Sequence, residues 1–179
     1  AMPGSNLALA TLGTFILWLG WFGFNGASQL AIGSVNDAAD VSRVFVNTNM
    51  AASAGVVVAI ICCHLRYGKI DLTMVLNGAL AGLVSITAEP LYPSILGAVL
   101  IGGVGGAIAV FTVPLLDKFK IDDVVGAIPV HLVAGIWGTL IVPASNPDTS
   151  YLTQLIGVVA IGAFVFVASF IVWTVLKMT

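Results

Sequence analysis

The chain has 179 residues, of which 59% are hydrophobic and only 8% charged, with 20 glycines and a mean hydropathy of +1.11. A soluble domain of this length needs far more charge to cover its surface, so composition points to a membrane protein. A formal net charge of −2 with no basic cluster excludes a nucleic-acid partner.

Apolar runs set against polar punctuation predict an all-α polytopic membrane protein, a single transmembrane domain over 1–179 with spans 7–32, 43–66, 72–88, 94–116, 123–142 and 151–176. Each span is near the ~20 residues that cross a hydrocarbon layer ~30 Å thick. The opening AMPGSNLALATLG has no basic n-region, which argues against a signal peptide. Turn-forming stretches separate the spans: Gly33-Ser-Val-Asn-Asp, Tyr67-Gly-Lys, Glu89-Pro-Leu-Tyr-Pro, Asp117-Lys-Phe-Lys and Pro143-Ala-Ser-Asn-Pro-Asp.

In the first span Trp21, Phe24, Asn25 and Ser28 recur at i, i+3, i+4 and i+7, placing large aromatics and polar groups on one face. Such a face suits a cation stripped of water, stabilised by ring faces and oxygen acceptors. An interfacial aromatic belt with core packing accounts for the same spacing. Asn47, Thr48 and Asn49 in the second span and Asn77 in the third are expected to bond across helices.

Cys62 and Cys63 are adjacent, with neither a disulfide framework nor a CxxC metal spacing, and read as packing residues. No metal or cofactor is expected, and no enzymatic chemistry. His64 lies beside Arg66 and reads as interfacial. Five of the fourth span's glycines, Gly97, Gly102, Gly103, Gly105 and Gly106, predict close helix approach. Arg66, Lys69, Lys118, Lys120 and Lys177 fall on one side; Asp37, Asp40, Glu89 and Asp148 fall on the other, with Arg43 the exception. Basic loops stay cytoplasmic, so both termini are expected there.

The fifth span, IDDVVGAIPVHLVAGIWGTL, holds His131 in an apolar run. With Asp122 or Asp123 as the helix cap, His131 sits roughly 12 Å along the axis, at about 1.5 Å per residue. An imidazole is costly in hydrocarbon and should face protein or a lumen. It either bonds a carbonyl freed by Pro129 or serves a transport path. Ala127, His131, Gly135 and Gly138 lie close to one stripe, a packing seam or a pore wall. From outside, the order is polar Ser28, aromatic Phe24, then His131, which suits a small cationic solute.

Four motifs in order, GWFGFNGAS, VNTNMAASAG, NGALAGLVSITA and IDDVVGAIPVHLVAGIWGTL, resemble the second half of the ammonium transporter (Amt/Mep/Rh) family. That family has two inverted five-helix repeats plus a terminal helix, assembled as a trimer with one pore per subunit. The six spans here resemble its helices six to eleven. The resemblance makes Phe24 one of two gate phenylalanines, Ser28 the hydroxyl of an outer ammonium site and His131 the second histidine of a pore pair. Trp21 joins the substrate site and Asn25 the pore lining, both mainly in support.

The other gate phenylalanine, the outer-site tryptophan, a nearby aspartate and the first pore histidine belong to the family's first repeat and are not in these motifs. Leu132 stands where glycine is frequent, and Val124 where proline is common. Ammonium and ammonia are the implied solutes and the lipid bilayer the implied solvent. Family members also meet a cytoplasmic nitrogen-signalling protein, through a tail not contained in these residues. A six-helix half does not enclose a two-sided pore, so the expected activity is that of a complete subunit. A membrane ammonium sensor and a non-transporting structural half are the alternatives.

Overall fold

A computed structural model describes residues 6–178. All regular structure among them is helical: α1 (Leu7–Ala27), α2 (Val35–Tyr67), α3 (Leu72–Thr87), α4 (Ile95–Lys118), a π-helical segment (Ile128–Val133), α5 (Ala134–Ile141), a 3-10 turn (Val142–Ala144) and α6 (Tyr151–Met178). Helices α1, α2, α4 and α6 are long and apolar enough to cross a membrane, whereas Leu72–Thr87 and Ile128–Ala144 are shorter. At about 1.5 Å per residue, the 16 residues of α3 reach only ~24 Å.

Local sequence sets the helix ends. Helix α2 starts at Val35, ahead of the apolar span 43–66, because Ser34 and Asp37 form a reciprocal capping box: the Ser34 hydroxyl accepts from the Asp37 N–H, and the Asp37 carboxylate accepts from the Ser34 N–H. Its first turns carry Asn36, Asp37 and Asp40, polar residues that lie ahead of that span. Gly68, at φ +67, closes the other end with its N–H on the His64 carbonyl.

Asp71 caps α3, accepting from the backbone N–H groups of Thr73 and Met74 and from the Thr73 hydroxyl. The Thr73 hydroxyl is the main reason its carboxyl is held below the usual carboxylate range; partial burial opposes this, while both N–H groups and Lys69 add to it. A lowered folded-state pKa stabilises the fold above the unfolded value, and this contribution is lost as pH falls through the folded value. Asp71→Ala is therefore expected to cost about 1 kcal/mol at neutral pH. In thermal unfolding at graded pH, its deficit against the parent should narrow below the carboxylate range.

The core is a three-helix stack in which α2 packs most extensively on α4 and α3, and α3 on α4. Small residues make this possible. A Cβ on Gly102 would lie 2.5 Å from Ala51 Cα, one on Gly106 2.8 Å from Gly55 Cα, and one on Gly78 2.8 Å from the Gly55 carbonyl oxygen. The ridge Ala51–Gly55–Ala59 of α2 thus meets the ridge Gly102–Gly106 of α4 backbone to backbone. Gly97 differs from the other α4 glycines expected to permit close approach, with only ordinary contacts to Ser94 and Pro93. Cys63 is buried in the cluster with Ala59 and Val110, with Cys62 packed beside it, and both thiols are free.

Polar ties gather at the end opposite Arg66, Lys118 and Lys177. Asn47 donates both amide hydrogens, to the Pro90 and Pro93 carbonyls at 2.9 Å each, pinning the α3–α4 loop to α2. Glu89 accepts from the N–H groups of Leu91 and Tyr92 and from the Asn146 amide at 2.8 Å, joining that loop to the one before α6. Helix α6 touches only α5 and the 3-10 turn and buries no residue against the described chain. Its surface is largely apolar, with Thr153, Gln154, Ser169, Thr174 and Lys177 the polar exceptions. At the opposite end the Arg66 guanidinium lies over the Tyr67 and Phe111 rings, at 5.6 and 5.2 Å from their centroids.

The segment 119–127 departs from the expected helix over 123–142. Helical backbone begins only around Ala127, and the next turn is π-helical. Pro129 has no N–H to place in an α ladder, and the Ala134 N–H reaches five residues back to the Pro129 carbonyl. The extra residue in this turn breaks the expected stripe. His131 and Ala127 are exposed, whereas Gly138 is buried against the backbone of Ser85, where a Cβ would lie 2.8 Å from Ser85 Cα.

Candidate solute site

Helix α1 presents the aromatic and hydroxyl face. The Phe24 ring is 63% exposed, and its edge contact is Trp21, with ring centroids 5.9 Å apart and planes at 61°. The Ser28 hydroxyl, exposed at the C-terminal cap, donates to the Phe24 carbonyl at 2.9 Å. Its proton is committed, so its remaining lone pairs act as acceptors. A hydroxyl acceptor and an open ring face one turn apart suit a ligand that is all donors and carries positive charge.

Trp21 lies one turn deeper and half-buried. Its indole N–H donates to the Thr87 hydroxyl at 2.7 Å, and that hydroxyl donates to the Leu83 carbonyl at 2.7 Å. In an apolar surrounding an unmet indole N–H costs about 1–3 kcal/mol, so this bond fixes the ring as well as joining α1 to α3.

Asn25 is not on this face. It is 2% exposed in the α1–α2 seam, where its amide donates to the Thr48 hydroxyl at 3.0 Å. The i+4 spacing placed it with Trp21, but Gly26 beside it lets the Phe45 ring of α2 pack against the α1 backbone, which turns this side of α1 inward. Among the described residues it packs between α1 and α2. Thr48 and Asn47 are likewise buried and bonded between elements, as expected of polar residues in these spans. The Oδ1 atoms of Asn25 and Asn47 are buried without a hydrogen-bond partner.

His131 projects from the π segment. It is exposed and makes no hydrogen bond among the described residues, so the reading in which Pro129 frees a carbonyl for it fails. Neither ring nitrogen has a partner among the described residues. The elements carrying His131 do not touch α1; α3 contacts both. The structure thus brings Trp21, Phe24 and Ser28 together on α1, while the elements carrying His131 meet α3 and not α1.

Asp123, not Asp122, anchors the His131 segment. One carboxylate oxygen accepts from the N–H groups of Gly126 and Ala127 at 3.0 and 2.9 Å, and the other from Ile128 at 2.7 Å. Gly126 has φ +80 and lies against the Asn77 amide, which a Cβ would strike. A side chain there is strained by conformation and requires the Asn77 amide to move. Thr87 and Gly126 escaped the sequence reading. Thr87 is a polar residue ending an apolar span, the same signal that marked Asn47 and Thr48; nothing in the sequence distinguishes Gly126 from a turn glycine.

The sequence profile of the Ammonium Transporter Family matches residues 1–179. Ammonium transporter Amt2 of Archaeoglobus fulgidus is 49% identical over 151 residues, covering 84% of this chain and 31% of that protein. Putative ammonium transporter sll1017 of Synechocystis sp. is 38% identical over 177 residues, covering 97% and 40%. Among solved structures, the Sensor Amt Protein superposes with a TM-score of 0.89 at 36% identity over 98% of this chain and 45% of its own. Candida albicans Mep2 does so with a TM-score of 0.88 at 27% identity, over 98% and 42%. The chain therefore spans less than half the length of these relatives, and its six-helix bundle has the fold of their matching part. Across its whole length, it belongs to the ammonium transporter family.

Proposed function

We propose that the chain forms one wall of an ammonium-conducting pore, completed by a second set of helices like those in the unmatched part of its relatives. The observation that carries this reading is the Phe24–Ser28 pair: an open ring face beside a hydroxyl whose proton is already spent on the Phe24 carbonyl. Ammonium offers only N–H donors and a positive charge, and both features are met there. Phe24 acts as the gate, with Trp21 supporting it and contributing to the substrate site. Asn25 holds α1 on α2.

A bare cation entering a low-dielectric lumen pays several kcal/mol, about the penalty for burying any ion. Ammonium therefore leaves its proton with water at the outer mouth of the gate, and neutral ammonia crosses the dry stretch. His131 serves there as a polar liner that accepts from ammonia in one tautomer and donates in the other. The side bearing Arg66, Lys118 and Lys177 is cytoplasmic, and the complete subunit assembles as a homotrimer in the cell membrane.

His131→Ala in the complete subunit is expected to lower ammonium uptake roughly tenfold, equivalent to about 1.4 kcal/mol of barrier, or to admit potassium. Uptake measured in cells lacking other ammonium transporters, beside potassium flux, checks this. Unchanged ammonium uptake with unchanged potassium exclusion rules out the pore role. The likeness to the Sensor Amt Protein supports a second reading, solute binding that signals without transport. Ammonium uptake into proteoliposomes, measured against protein-free vesicles, distinguishes the two, since a pure sensor binds and carries none.

A further inference from the structure

Among the described residues, the aromatic contact of the gate assigned to Phe24 is the edge of Trp21. The Trp21 ring is in turn fixed at its far side by the hydrogen bond from its indole N–H to Thr87.

Thr87 suits this task. It is the last residue of α3, and its β-branched side chain is restricted at χ1. Its hydroxyl is engaged in both roles, accepting from Trp21 and donating to the Leu83 carbonyl one turn back, both at 2.7 Å. A donor and an acceptor together leave that oxygen little freedom to rotate. The adjoining loop is tied down by Asn47 through the Pro90 and Pro93 carbonyls and by Glu89 through Asn146, so the hydroxyl is held on a firm base.

We infer that Thr87 is the positioning residue of the gate: through the Trp21 indole it sets the place of the Phe24 ring, so that gate geometry on α1 is controlled from the end of α3. This rests on reading Phe24 as the gate. Thr87 itself touches no solute in this scheme.

The test uses the complete subunit. Thr87→Val keeps the branched shape and removes both hydrogen bonds, while Thr87→Ser keeps the hydroxyl. The expected result is a several-fold fall in maximal ammonium flux for Thr87→Val and an altered ratio of methylammonium to ammonium transport, with folded yield by size exclusion preserved. Thr87→Ser should restore both. In protein labelled with fluorotryptophan, the Trp21 fluorine resonance, assigned by its loss in Trp21→Phe, should shift in Thr87→Val and return in Thr87→Ser. Thr87→Val should add nothing to a Trp21→Phe background, since both cut one link.

An unmoved Trp21 resonance, or a Thr87→Val effect that persists in full with Trp21→Phe, overturns the inference. Were Thr87→Val not to fold, Trp21→Phe cuts the same bond from the other side, and unchanged flux and ratio in that variant overturns it equally. Phe24→Ala separates this inference from the gate reading. If Phe24→Ala leaves flux and selectivity intact, the gate reading fails, whereas a defective Phe24→Ala beside an unaffected Thr87→Val defeats the role of Thr87 alone.

Discussion

Replacing Gly106 or Gly102 by alanine is expected to push α2 and α4 apart and to give one of the largest losses of stability from a single added methyl. At both positions the new Cβ meets backbone atoms of α2: Gly55 Cα at 2.8 Å for Gly106, and Ala51 Cα at 2.5 Å for Gly102. A crowded side chain can change rotamer, but backbone yields only if a whole helix moves. The cost should therefore lie at or above the top of the usual overpacking range, about 3 kcal/mol, against a gain of at most ~1 kcal/mol from helix propensity. Gly97→Ala on the same helix is the control, because its Cβ finds only ordinary contacts, and it should be neutral or mildly stabilising. The two costly sites lie four residues apart on one ridge, so the double variant should cost less than the sum: the separation forced by the first methyl makes room for the second. Thermal unfolding in detergent checks all four proteins, and a Gly106→Ala that melts with Gly97→Ala contradicts backbone contact between α2 and α4.

What was legible in the sequence follows from which signals are local. Hydropathy located the apolar runs, and the glycine cluster of α4 announced close packing, because both depend on residue type at a position. Helix α2 was read short because its first turns are polar, and its true start lies in a capping box that a hydropathy window averages away. The segment before His131 misled more seriously. Asp123 does cap it, but at Gly126, Ala127 and Ile128 instead of at the next residues, and the π turn that follows adds a residue no 3.6-residue template contains. Asn25 shows a further limit. Spacing set it on the Trp21 face, but which side of α1 packs inward depends on Gly26 accommodating Phe45 from another helix. The Trp21–Thr87 bond joins residues 66 apart, and no local pattern pairs them.

Asp123→Ala is expected to impair transport more than it impairs folding. Its carboxylate meets three consecutive N–H groups that have no partner inside the helix, at 2.7 to 3.0 Å, so its loss should cost about 2 kcal/mol, the upper end of the range for a helix cap. That cost falls on one segment. The core stack of α2, α3 and α4 does not involve Asp123, so global unfolding should change little, while Gly126 to Val133 opens locally. His131 sits within that stretch, and an α-helix turns by ~100° per residue, so a register shift of one residue where the π turn begins swings the imidazole off its face. Asp123→Asn should fall between parent and alanine: its amide oxygen still serves Gly126 and Ala127, but its NH2 is set against the Ile128 N–H, a donor facing a donor. Asp122→Ala, which removes a side chain bonded to nothing among the described residues, should match the parent. Hydrogen exchange of peptides spanning 121–133, measured beside ammonium uptake, should rank both properties Asp, Asn, Ala. Faster exchange with unchanged uptake in Asp123→Ala would separate the anchor from the transport role of His131, and unchanged exchange would show that the π turn holds its register without the carboxylate.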